Sequence, residues 1–309
     1  MTVAACVIYN PTAGRGRATR LLAEFRATAG YAVELWPAAK PGHAVELARE
    51  AAEQGFERVI AAGGDGTVHE VANGILQSGR RETVFSVWPC GSANDYAFTL
   101  GLIAWWKCRG ERPPTETLVV DVGRIRGGGR ERFYVNSLGI GFNGMVTVEA
   151  RKIRRLRGLA LYSYAFVRAM SRHFATPRMR IRFDDTVFDG PTLALTLNLA
   201  QREGGFPITP AASLTDGRLD YVHAARLTRG HLLRYLPAMA TGRLRGNPPL
   251  LRLGRAERVG VVADAPLCIH ADGEFFSVPA DRLSECVVEV VSRRLRVEVF
   301  SPAFCGGRS

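Results

Sequence analysis

The sequence predicts two domains of different class, an N-terminal doubly wound α/β domain and a C-terminal antiparallel β-sandwich-like domain. The chain has 309 residues, which is more than one hydrophobic core usually supports. In the first third, short continuous apolar runs alternate with helical segments, as in a parallel sheet covered on both faces. After about Leu118, many short strands follow one another with turn signals between them, as in an antiparallel sandwich. We place the domains at residues 1–125 and 126–294.

The predicted N-terminal domain contains four apolar strands separated by helical segments and by glycine-rich loops. The strands are predicted at residues 4–9, 33–36, 59–62 and 83–88. One helix contains Leu21, Leu22 and Phe25, and a second has Ala44, Leu47, Ala48 and Ala51 at helical spacing. In such sheets ligands bind beyond the carboxyl ends of the strands. The loops after Tyr9, Ala62 and Trp88 are therefore expected to share one crevice.

The predicted C-terminal domain begins with strands at 118–122 and 133–138 around a turn of Gly127, Gly128 and Gly129. One long helix is predicted over residues 145–174, and another near 227–241. The remaining strands are predicted at 179–183, 192–199, 219–224, 258–263, 267–270, 287–291 and 295–300.

Charge and composition restrict the partners more than the fold. The formal charge of +12 favours nucleic acid, an anionic membrane surface or a phosphate-rich ligand, with general solubility as the alternative. The six cysteines form no CxxC pair, so a zinc site is not expected. No leader-like start and no charge-free apolar stretch near 18 residues occurs. We therefore expect a cytoplasmic protein whose membrane contact, if any, is peripheral.

The run Gly63-Gly64-Asp65-Gly66-Thr67 lies between a buried strand and a helix and is the first candidate site. Glycines let backbone N–H groups approach phosphate oxygens, and a helix N-terminus adds a positive dipole. Thr67 and Glu70 have capping-box spacing, so the helix is predicted to begin at Thr67. An acid such as Asp65 would repel phosphate unless a cation lay between them. The run therefore predicts a nucleotide with Mg²⁺, and a tight turn that needs positive φ is the alternative.

Two further loops have the same character, and one glycine pattern competes with them. Residues 10–17 follow the first strand, and residues 89–95 follow the fourth, where Ser92 and Asp95 could cap the next helix. The P-loop pattern GxxxxGK[ST] is absent. Residues 139–144 form a GxGxxG between a strand and a helix, but no second strand ending in an acid follows at the spacing of a dinucleotide fold.

The second half offers acids whose residue types allow either catalysis or ordinary turns. Asp272 and Glu274 are predicted to alternate onto one strand face, an arrangement that suits a base and its supporting residue. Hairpin acids are the alternative, because Asp-Gly is common in type I′ turns. His69 could contact a nucleotide or be an exposed helix residue. The stripe of Ile153, Leu156 and Leu159 with interleaved arginines is predicted to be a core-facing amphipathic helix, with a membrane surface as the alternative.

Taken together, the loops resemble the diacylglycerol kinase catalytic family in its soluble bacterial branch, which is similar to sphingosine and ceramide kinases. The two most specific matching stretches are Gly63-Gly64-Asp65-Gly66-Thr67-x-x-Glu70-Val71-x-Asn73-Gly74 and Pro89-x-Gly91-Ser92-x-Asn94-Asp95. The remaining stretches are Asn10-Pro11-x-x-Gly14, Asp121-x-Gly123, Asn136-x-x-Gly139-x-Gly141-Phe142, Gly204-Gly205-Phe206-Pro207, Asp216-Gly217-x-Leu219-Asp220 and Asp272-Gly273-Glu274. They occur in family order over nearly the whole chain.

The resemblance implies an NAD-kinase-like domain that holds ATP, a β-sandwich-like domain for the lipid, and an active site between them. Residues 295–309 are expected to return to the first domain. Asp272 would be the general base, supported by Glu274, and Asp65, Asp95 and Asp121 would organise the catalytic Mg²⁺. ATP would be held by Asn10, Gly63, Gly64, Asp65, Gly66, Thr67, Glu70, Gly91, Ser92 and Asn94. A structural Mg²⁺ would be bound by Asp216 with backbone oxygens of Ser213 and Arg218.

The resemblance leads to one expected function and leaves alternatives open. We expect a Mg²⁺- and ATP-dependent kinase of a lipid hydroxyl, with diacylglycerol or a related alcohol as substrate at a membrane surface. A kinase of a soluble hydroxyl and an inactive lipid- or nucleotide-binding relative are the alternatives; a homodimer stays open, and no nucleic-acid partner is expected. Departures from the family pattern are Ser92 for Thr, His69 for Asn, Ala200 for Gly, and Ala38 and Ala39 where a Thr is expected.

Overall fold

The computed structural model describes residues 5–11, 32–91, 93–102, 115–153, 155–156 and 158–300. By its contacts the chain divides into two compact units, residues 1–120 with 293–309, and residues 121–292. The predicted helix around Leu21, Leu22 and Phe25 lies outside the described residues, as do Ser92 and residues 301–309.

The described elements of the first unit are β1 (Ala5–Tyr9), β2 (Val33–Pro37), α1 (His43–Glu53), β3 (Arg58–Gly63), α2 (Asp65–Ser78), β4 (Val84–Pro89) and α3 (Asp95–Thr99), together with the last residues of β16 (Glu285–Phe300). The unit is built on a parallel sheet of order β2-β1-β3-β4. Val7 of β1 is aligned with Leu35 on one side and with Ile60 on the other. The last residues of β16 add a parallel partner beside β4.

Continuous burial explains why these strands are apolar on both faces. Residues 5–8 of β1 and residues 59–62 of β3 are almost fully buried, as expected where helices cover both sides of a parallel sheet. Helices α1 and α2 pack closely at Gly74, where a Cβ would lie only 2.3 Å from the carbonyl oxygen of Val45. A larger residue at this position would push the two helices apart.

The described strands of the second unit are β5 (Thr115–Gly127), β6 (Arg130–Tyr134), β7 (Ser137–Gly141), β8 (Arg178–Phe183), β9 (Thr186–Pro191), β10 (Ala194–Asn198), β11 (Leu219–Ala224), β12 (Leu251–Ala256), β13 (Arg258–Ala263), β14 (Ile269–Ala271) and β15 (Glu274–Ser277). The described helices are α4 (Phe142–Arg151), α5 (Gly158–Arg172) and α6 (Arg229–Ala240), with a short 3₁₀ turn at Pro279–Asp281. One sheet has six strands in the order β12-β11-β10-β7-β14-β15. In a second group of strands, β13 lies antiparallel between β8 and the first part of β16, β9 pairs with β8, and the β5–β6 hairpin pairs through β5 with β16.

Aromatic contacts join the two sheets of the second unit. Phe183 of β8 stacks on Tyr221 of β11 with ring centroids 4.2 Å apart, and Phe188 of β9 meets His223 at 4.4 Å. On the other face of the six-stranded sheet, apolar residues of α4, α5 and α6 form a core with Leu193 and Val222. The fold class predicted from the sequence, an α/β domain followed by a β-sandwich-like domain, is thus confirmed.

The prediction of one helix over residues 145–174 is wrong, because the chain forms α4 and α5 with a break between them. Glu149 of α4 binds across this break: its carboxylate is fully buried and accepts from Lys152 at 2.7 Å and from Arg168 of α5 at 2.6 Å. In a straight helix Glu149 and Arg168 would lie about 28 Å apart. The hydrogen bond from Lys152, with those from Arg168 and His173, lowers the pKa of Glu149 to about 2.

Other differences concern strand boundaries. The predicted strand 133–138 is divided at residues 135–136 into β6 and β7, which belong to different sheets. The predicted strands 287–291 and 295–300 are one strand, β16. Strands β9, β12 and β15 were not predicted, since their mostly exposed or alternating residues do not form apolar runs.

Among the described residues, no helix is both long enough and apolar enough to cross a lipid bilayer.

We expect the second unit to lose stability in mild acid because of His223. Its side chain is fully buried, Nε2 lies 3.0 Å from Thr192 Oγ1, and Nδ1 has no hydrogen-bond partner among the described residues. Burial, with a smaller effect of Arg252, lowers the pKa of His223 from 6.5 to about 4. Between these values the unfolded chain binds a proton that the folded chain does not, so acid favours unfolding.

The free energy of unfolding should therefore fall as the pH drops below about 6.5, by up to about 1.4 kcal/mol per pH unit. Urea titrations between pH 7.5 and 4.5 measure this slope. In His223→Gln, which has no imidazole at this position, the slope should be smaller. An unchanged slope in the variant would assign the acid sensitivity to other groups.

Candidate functional site

The glycine-rich run at the end of β3 forms a sharp strand-to-helix transition. Gly64 is the N-cap of α2, with φ of −92°, and the helix begins at Asp65 without a side-chain cap. The predicted helix start at Thr67 and its capping box with Glu70 are therefore wrong. A turn that needs positive φ, the alternative to a phosphate loop, is not present at Gly64 either.

Glu70 caps a different helix from the one in which it lies. Its carboxylate accepts from the backbone N–H of Gly42 at 2.9 Å and of Ala44 at 3.1 Å. Gly42 is the N-cap of α1, has a φ of 85° and offers no side chain of its own. Glu70 thus supplies the acceptors that the first turn of α1 lacks.

Asp65 joins the loop after β3 to the loop after β4. Its Oδ2 accepts from the N–H of Asn94 at 2.9 Å, and its Oδ1 accepts from the N–H of Asp95 at 2.8 Å. Asp95 is the first residue of α3 and 5% exposed, so it does not cap that helix as predicted. The other predicted cap, Ser92, lies outside the described residues.

The glycines of these two loops allow the loops to touch. A Cβ on Gly91 would lie 2.4 Å from the Cα of Gly64, and a Cβ on Gly63 would lie 2.3 Å from Thr67 Oγ1. The backbone N–H of Cys90 donates to the Gly63 carbonyl at 2.9 Å. The loops after Ala62 and Trp88 therefore lie against each other, as the parallel topology predicts.

Polar groups of the second loop and of its neighbours complete this edge of the sheet. Asn94, at φ of 53°, exchanges hydrogen bonds with Gly91 through its side chain at 3.0 and 3.1 Å. Asn10 follows β1 directly, while residues 12–17 of the same loop lie outside the described residues. The departures Ala38 and Ala39 donate their N–H groups to Tyr9 O and His43 Nδ1.

His69 is buried rather than exposed, which corrects one of the two interpretations of this residue. It is 4% exposed, and its Nε2 lies 3.4 Å from Asn73 Nδ2. The same Asn73 amide donates to the His69 carbonyl at 3.0 Å.

This edge has the chemistry of an anion site with acids beside it. The first-turn N–H groups of α2 have no partners within the helix, and the helix dipole adds positive charge there. Gly64, Gly66, Thr67, Gly91 and Asn94 could hold the phosphates of a nucleotide. Each carboxylate oxygen of Asp65 carries two lone pairs, so the N–H bonds from Asn94 and Asp95 do not by themselves prevent an interaction with a cation or its water.

In the second unit, Asp121 holds the loop that precedes β11. Asp121 is 1% exposed, donates its N–H to Leu214 O at 2.7 Å, and accepts from the Gly217 N–H at 2.7 Å. In the same loop the Arg218 N–H donates to Asp216 Oδ1 at 3.1 Å, and the Thr215 N–H donates to Ser213 Oγ at 3.4 Å.

Asp216 and Asp220 form a small acidic site with one arginine. Arg255 Nη1 lies 3.6 Å from Asp216 Oδ2, and Arg255 Nε lies 3.2 Å from Asp220 Oδ1. Asp220 Oδ2 is buried without a hydrogen-bond partner among the described residues. Burial raises the pKa of Asp220, and the nearby Asp216 charge adds to this rise.

These groups fit the structural Mg²⁺ that the family resemblance implies. Two carboxylates outweigh the single charge of Arg255, one buried oxygen lacks a partner, and an all-oxygen donor set suits Mg²⁺. Asp216 would hold the ion with the backbone oxygens of Ser213 and Arg218, and Asp220 adds a second acid. Within the described residues, no three His, Cys, Asp or Glu side chains cluster as a metal site.

Asp272 lies in the tight turn between β14 and β15 and not on a strand. Its φ is 52°, that of Gly273 is 82°, and both fit the type I′ alternative. Its carboxylate accepts three backbone N–H bonds of 2.9–3.0 Å from Val135, Asn136 and Ser137. The predicted alternation with Glu274 on one strand face is therefore wrong, and Asp272 instead fixes the break between β6 and β7.

Glu274 begins β15 and its carboxylate pairs with Arg151 of α4 at 2.5 Å. The same guanidinium lies 3.4 Å from the Gly273 carbonyl and 4.4 Å from the Phe275 ring centre. Glu274 thus supports the turn of Asp272 through Arg151.

The GxGxxG at residues 139–144 serves packing. β7 runs antiparallel to both of its neighbours, β10 and β14, so it is not the first strand of a parallel dinucleotide unit. A Cβ on Gly139 would lie 2.3 Å from His270 Nε2, and one on Gly144 would lie 2.6 Å from the Cys268 carbonyl.

Two polar residues near Asp272 were not singled out from the sequence. Glu203 and His270 lie 3.1 Å apart, and His270 Nδ1 faces the Gly273 N–H. The only sequence signal was their position beside two family stretches, Gly204-Gly205-Phe206-Pro207 and Asp272-Gly273-Glu274.

Comparison with known proteins gives the same order of domains. Residues 4–113 match the diacylglycerol kinase catalytic domain, and residues 136–298 match the YegS C-terminal NAD kinase beta sandwich-like domain. A diacylglycerol kinase of Bacillus subtilis (strain 168) is 30% identical over 284 residues, covering 87% of this chain and 89% of that protein. One from Staphylococcus epidermidis (strain ATCC 12228) is 27% identical over 315 residues, covering 96% and 91%.

A solved structure shows the same fold at low sequence identity. The crystal structure of a diacylglycerol kinase from Bacillus anthracis str. Sterne matches with a TM-score of 0.69 and 18% identity, covering 97% of this chain and 98% of that one. The two matched domains, in this order, define a two-domain lipid kinase. The chain belongs to the diacylglycerol kinase family.

We expect Glu70→Ala to destabilise the first unit because the α1 N-terminus loses two acceptors. Loss of an N-cap typically costs about 1 kcal/mol. Chemical denaturation of the variant should show this loss in the free energy of unfolding. Glu53→Ala, in the exposed last turn of α1, is the matched control and should change stability by less than about 0.5 kcal/mol. Equal losses in both variants would contradict the capping role of Glu70.

Proposed function

We propose that this enzyme transfers the γ-phosphate of ATP, with Mg²⁺, to the hydroxyl of a lipid alcohol such as diacylglycerol. The observation that carries the proposal is the edge where Asp65 ties the Asn94 and Asp95 backbone to the N-terminus of α2. An anion site with an acid at its rim suits a phosphate chain accompanied by a cation. The family membership supports the same reaction.

Among the described residues, the first unit would bind the nucleotide mainly through backbone groups. Gly64, Gly66 and Thr67 would donate N–H groups to the phosphates. Gly91 and Asn94 of the neighbouring loop would border the same site, where the side-chain amide of Asn94 has a second N–H to donate. Asn10 and Ser92 are assigned to the same role by the resemblance alone. Glu70 would act indirectly, since its carboxylate caps α1.

The acidic side chains would have different roles in binding the two magnesium ions. Asp65 and Asp95, with Asp121, would orient the catalytic Mg²⁺, which supplies charge neutralisation to the transferring phosphoryl group. Asp216 would hold the structural ion. Positioning and charge neutralisation provide most of the acceleration in phosphoryl transfer, so the protein contributes little covalent chemistry.

Asp272 would accept the proton of the lipid hydroxyl on its carboxylate. The three backbone N–H donors hold that carboxylate in one orientation, and the side chain is 8% exposed. A base held in place by the backbone loses little conformational freedom when the hydroxyl arrives. Glu274 would support it by keeping Arg151 against the turn.

The acceptor would be taken from a membrane surface by an enzyme that is otherwise cytoplasmic. Leu156, just before α5, is 38% exposed, and Tyr164 and Val167, within α5, are 47% and 52% exposed. Arg155 and Lys152 are exposed in the segment just before that helix. Apolar and basic side chains together suit an anionic lipid interface. The net charge of +12 supports the same kind of contact.

The direct test is phosphate transfer from labelled ATP to a panel of acceptors. Purified protein with Mg²⁺ should label a lipid alcohol in mixed micelles, and omission of Mg²⁺ should abolish the labelling. NAD in detergent-free buffer tests the soluble-hydroxyl alternative. Labelling of NAD alone, or nucleotide binding without transfer to any acceptor, would contradict the proposal.

We expect Asp272→Asn to lower kcat by roughly 10²–10⁴-fold, because a general base contributes about this factor. ATP affinity, measured by calorimetry, should persist. The matched control is Asp184→Asn, since Asp184 also has a positive φ, 47°, and accepts backbone N–H bonds from Glu257 and Arg258. The control should lose stability without a comparable loss of kcat. Similar turnover in wild type and Asp272→Asn would show that the base lies elsewhere.

A further inference from the structure

A tight hairpin lies close to the turn that carries Asp272. Glu203 and Phe206 exchange backbone hydrogen bonds of 2.9 and 3.0 Å, and Gly204 and Gly205 between them have φ of 62° and 86°. We call residues 203–206 the Gly204–Gly205 hairpin. Its sequence belongs to one of the stretches shared with the family.

His270 contacts both the hairpin and the turn. Its Nε2 lies 3.1 Å from Glu203 Oε1, and its Nδ1 lies 3.4 Å from the Gly273 nitrogen. Since the Gly273 N–H can only donate, Nδ1 accepts, which leaves Nε2 as the nitrogen that donates to Glu203. The two side chains are only 4% and 18% exposed. Their pairing avoids the free-energy cost of burying polar groups without hydrogen-bond partners.

The surroundings accommodate the His270 imidazole and provide a second connection between the hairpin and the turn of Asp272. Gly139 faces the ring, and a Cβ there would lie 2.3 Å from Nε2. Asn136, whose N–H donates to Asp272 Oδ1, also donates its side-chain amide to the Arg202 carbonyl at 2.8 Å. The hairpin is therefore tied to the Asp272 turn through a side-chain pair and through Asn136.

We propose that Glu203 and His270 are positioning residues that couple the Gly204–Gly205 hairpin to the turn of Asp272. The coupling holds the turn in the conformation in which the Asp272 carboxylate receives the acceptor hydroxyl. This inference rests on the proposed role of Asp272. Neither residue touches the reacting atoms; both act through the Gly273 N–H and the backbone of the turn.

The test uses variants that each remove one of the two ring contacts of His270, either the one with Glu203 or the one with Gly273. His270→Asn places an amide oxygen near the Nδ1 position and keeps an acceptor for Gly273, but does not reach Glu203. His270→Gln reaches Glu203 and removes the Gly273 acceptor. Each variant, and Glu203→Ala, should lower kcat by about tenfold or more, as expected for a displaced reacting group, while ATP affinity stays at the wild-type value.

A double-mutant cycle separates coupling from general damage. If Glu203 acts through His270, Glu203→Ala combined with His270→Asn should be no slower than the single variants. His173→Asn is the control, because His173 forms a second His–Glu pair in the same unit, 3.0 Å from Glu149 Oε1. The control should be less stable with kcat within about twofold of wild type. Multiplicative losses in the cycle, or wild-type kcat in Glu203→Ala, would overturn the proposal.

Amide hydrogen exchange provides a readout that does not depend on activity. In Glu203→Ala, exchange should accelerate in peptides containing residues 271–275, although the substitution lies in the hairpin. Unchanged exchange there would overturn the coupling even if the kinase reaction is established. An absence of lipid phosphorylation by the wild type, with accelerated exchange in the variant, would instead reject the proposed function and leave the coupling supported.

Discussion

Carboxylates that accept backbone N–H bonds from a distant segment hold the loops of this molecule in place. Asp65 joins two loops of the first unit, Glu70 caps a neighbouring helix, and Asp272 fixes the break between β6 and β7. Asp121 does the same for the loop before β11. Such charge-assisted bonds are stronger than neutral ones, and they satisfy donors that loops and helix ends would otherwise leave unpaired.

The acids assigned to catalysis therefore have two tasks. Asp65 and Asp272 bind backbone N–H groups, so the protein itself holds their carboxylates in one orientation where chemistry is proposed. Preorganisation of this kind is a main source of enzymatic acceleration. It also means that removing such an acid changes both structure and activity. Asp184, a turn acid with similar backbone contacts and no assigned catalytic role, makes the two effects separable.

Local patterns in the sequence were sufficient for the fold class and for the glycine loops, because apolar periodicity and glycine positions are local signals. They failed where a side chain bonds to a distant partner. Glu70 has capping-box spacing but caps α1, and Glu149 of α4 accepts a hydrogen bond from Arg168 of α5 across the break in the predicted helix. Asp272 looked like a strand residue because nothing nearby in sequence reveals its donors at residues 135–137. The pairing of Glu203 with His270 is long-range in the same way.

Strand β16 has a consequence for how the chain is made. Its first residues pair with β13, and Arg296 and Val297 pair with β4, which the ribosome releases far earlier. The parallel sheet of the first unit therefore lacks its partner beyond β4 until β16 has been synthesised. An unpaired edge strand is prone to wrong association. The order of synthesis thus leaves the outer edge of β4 open to such association until β16 is made.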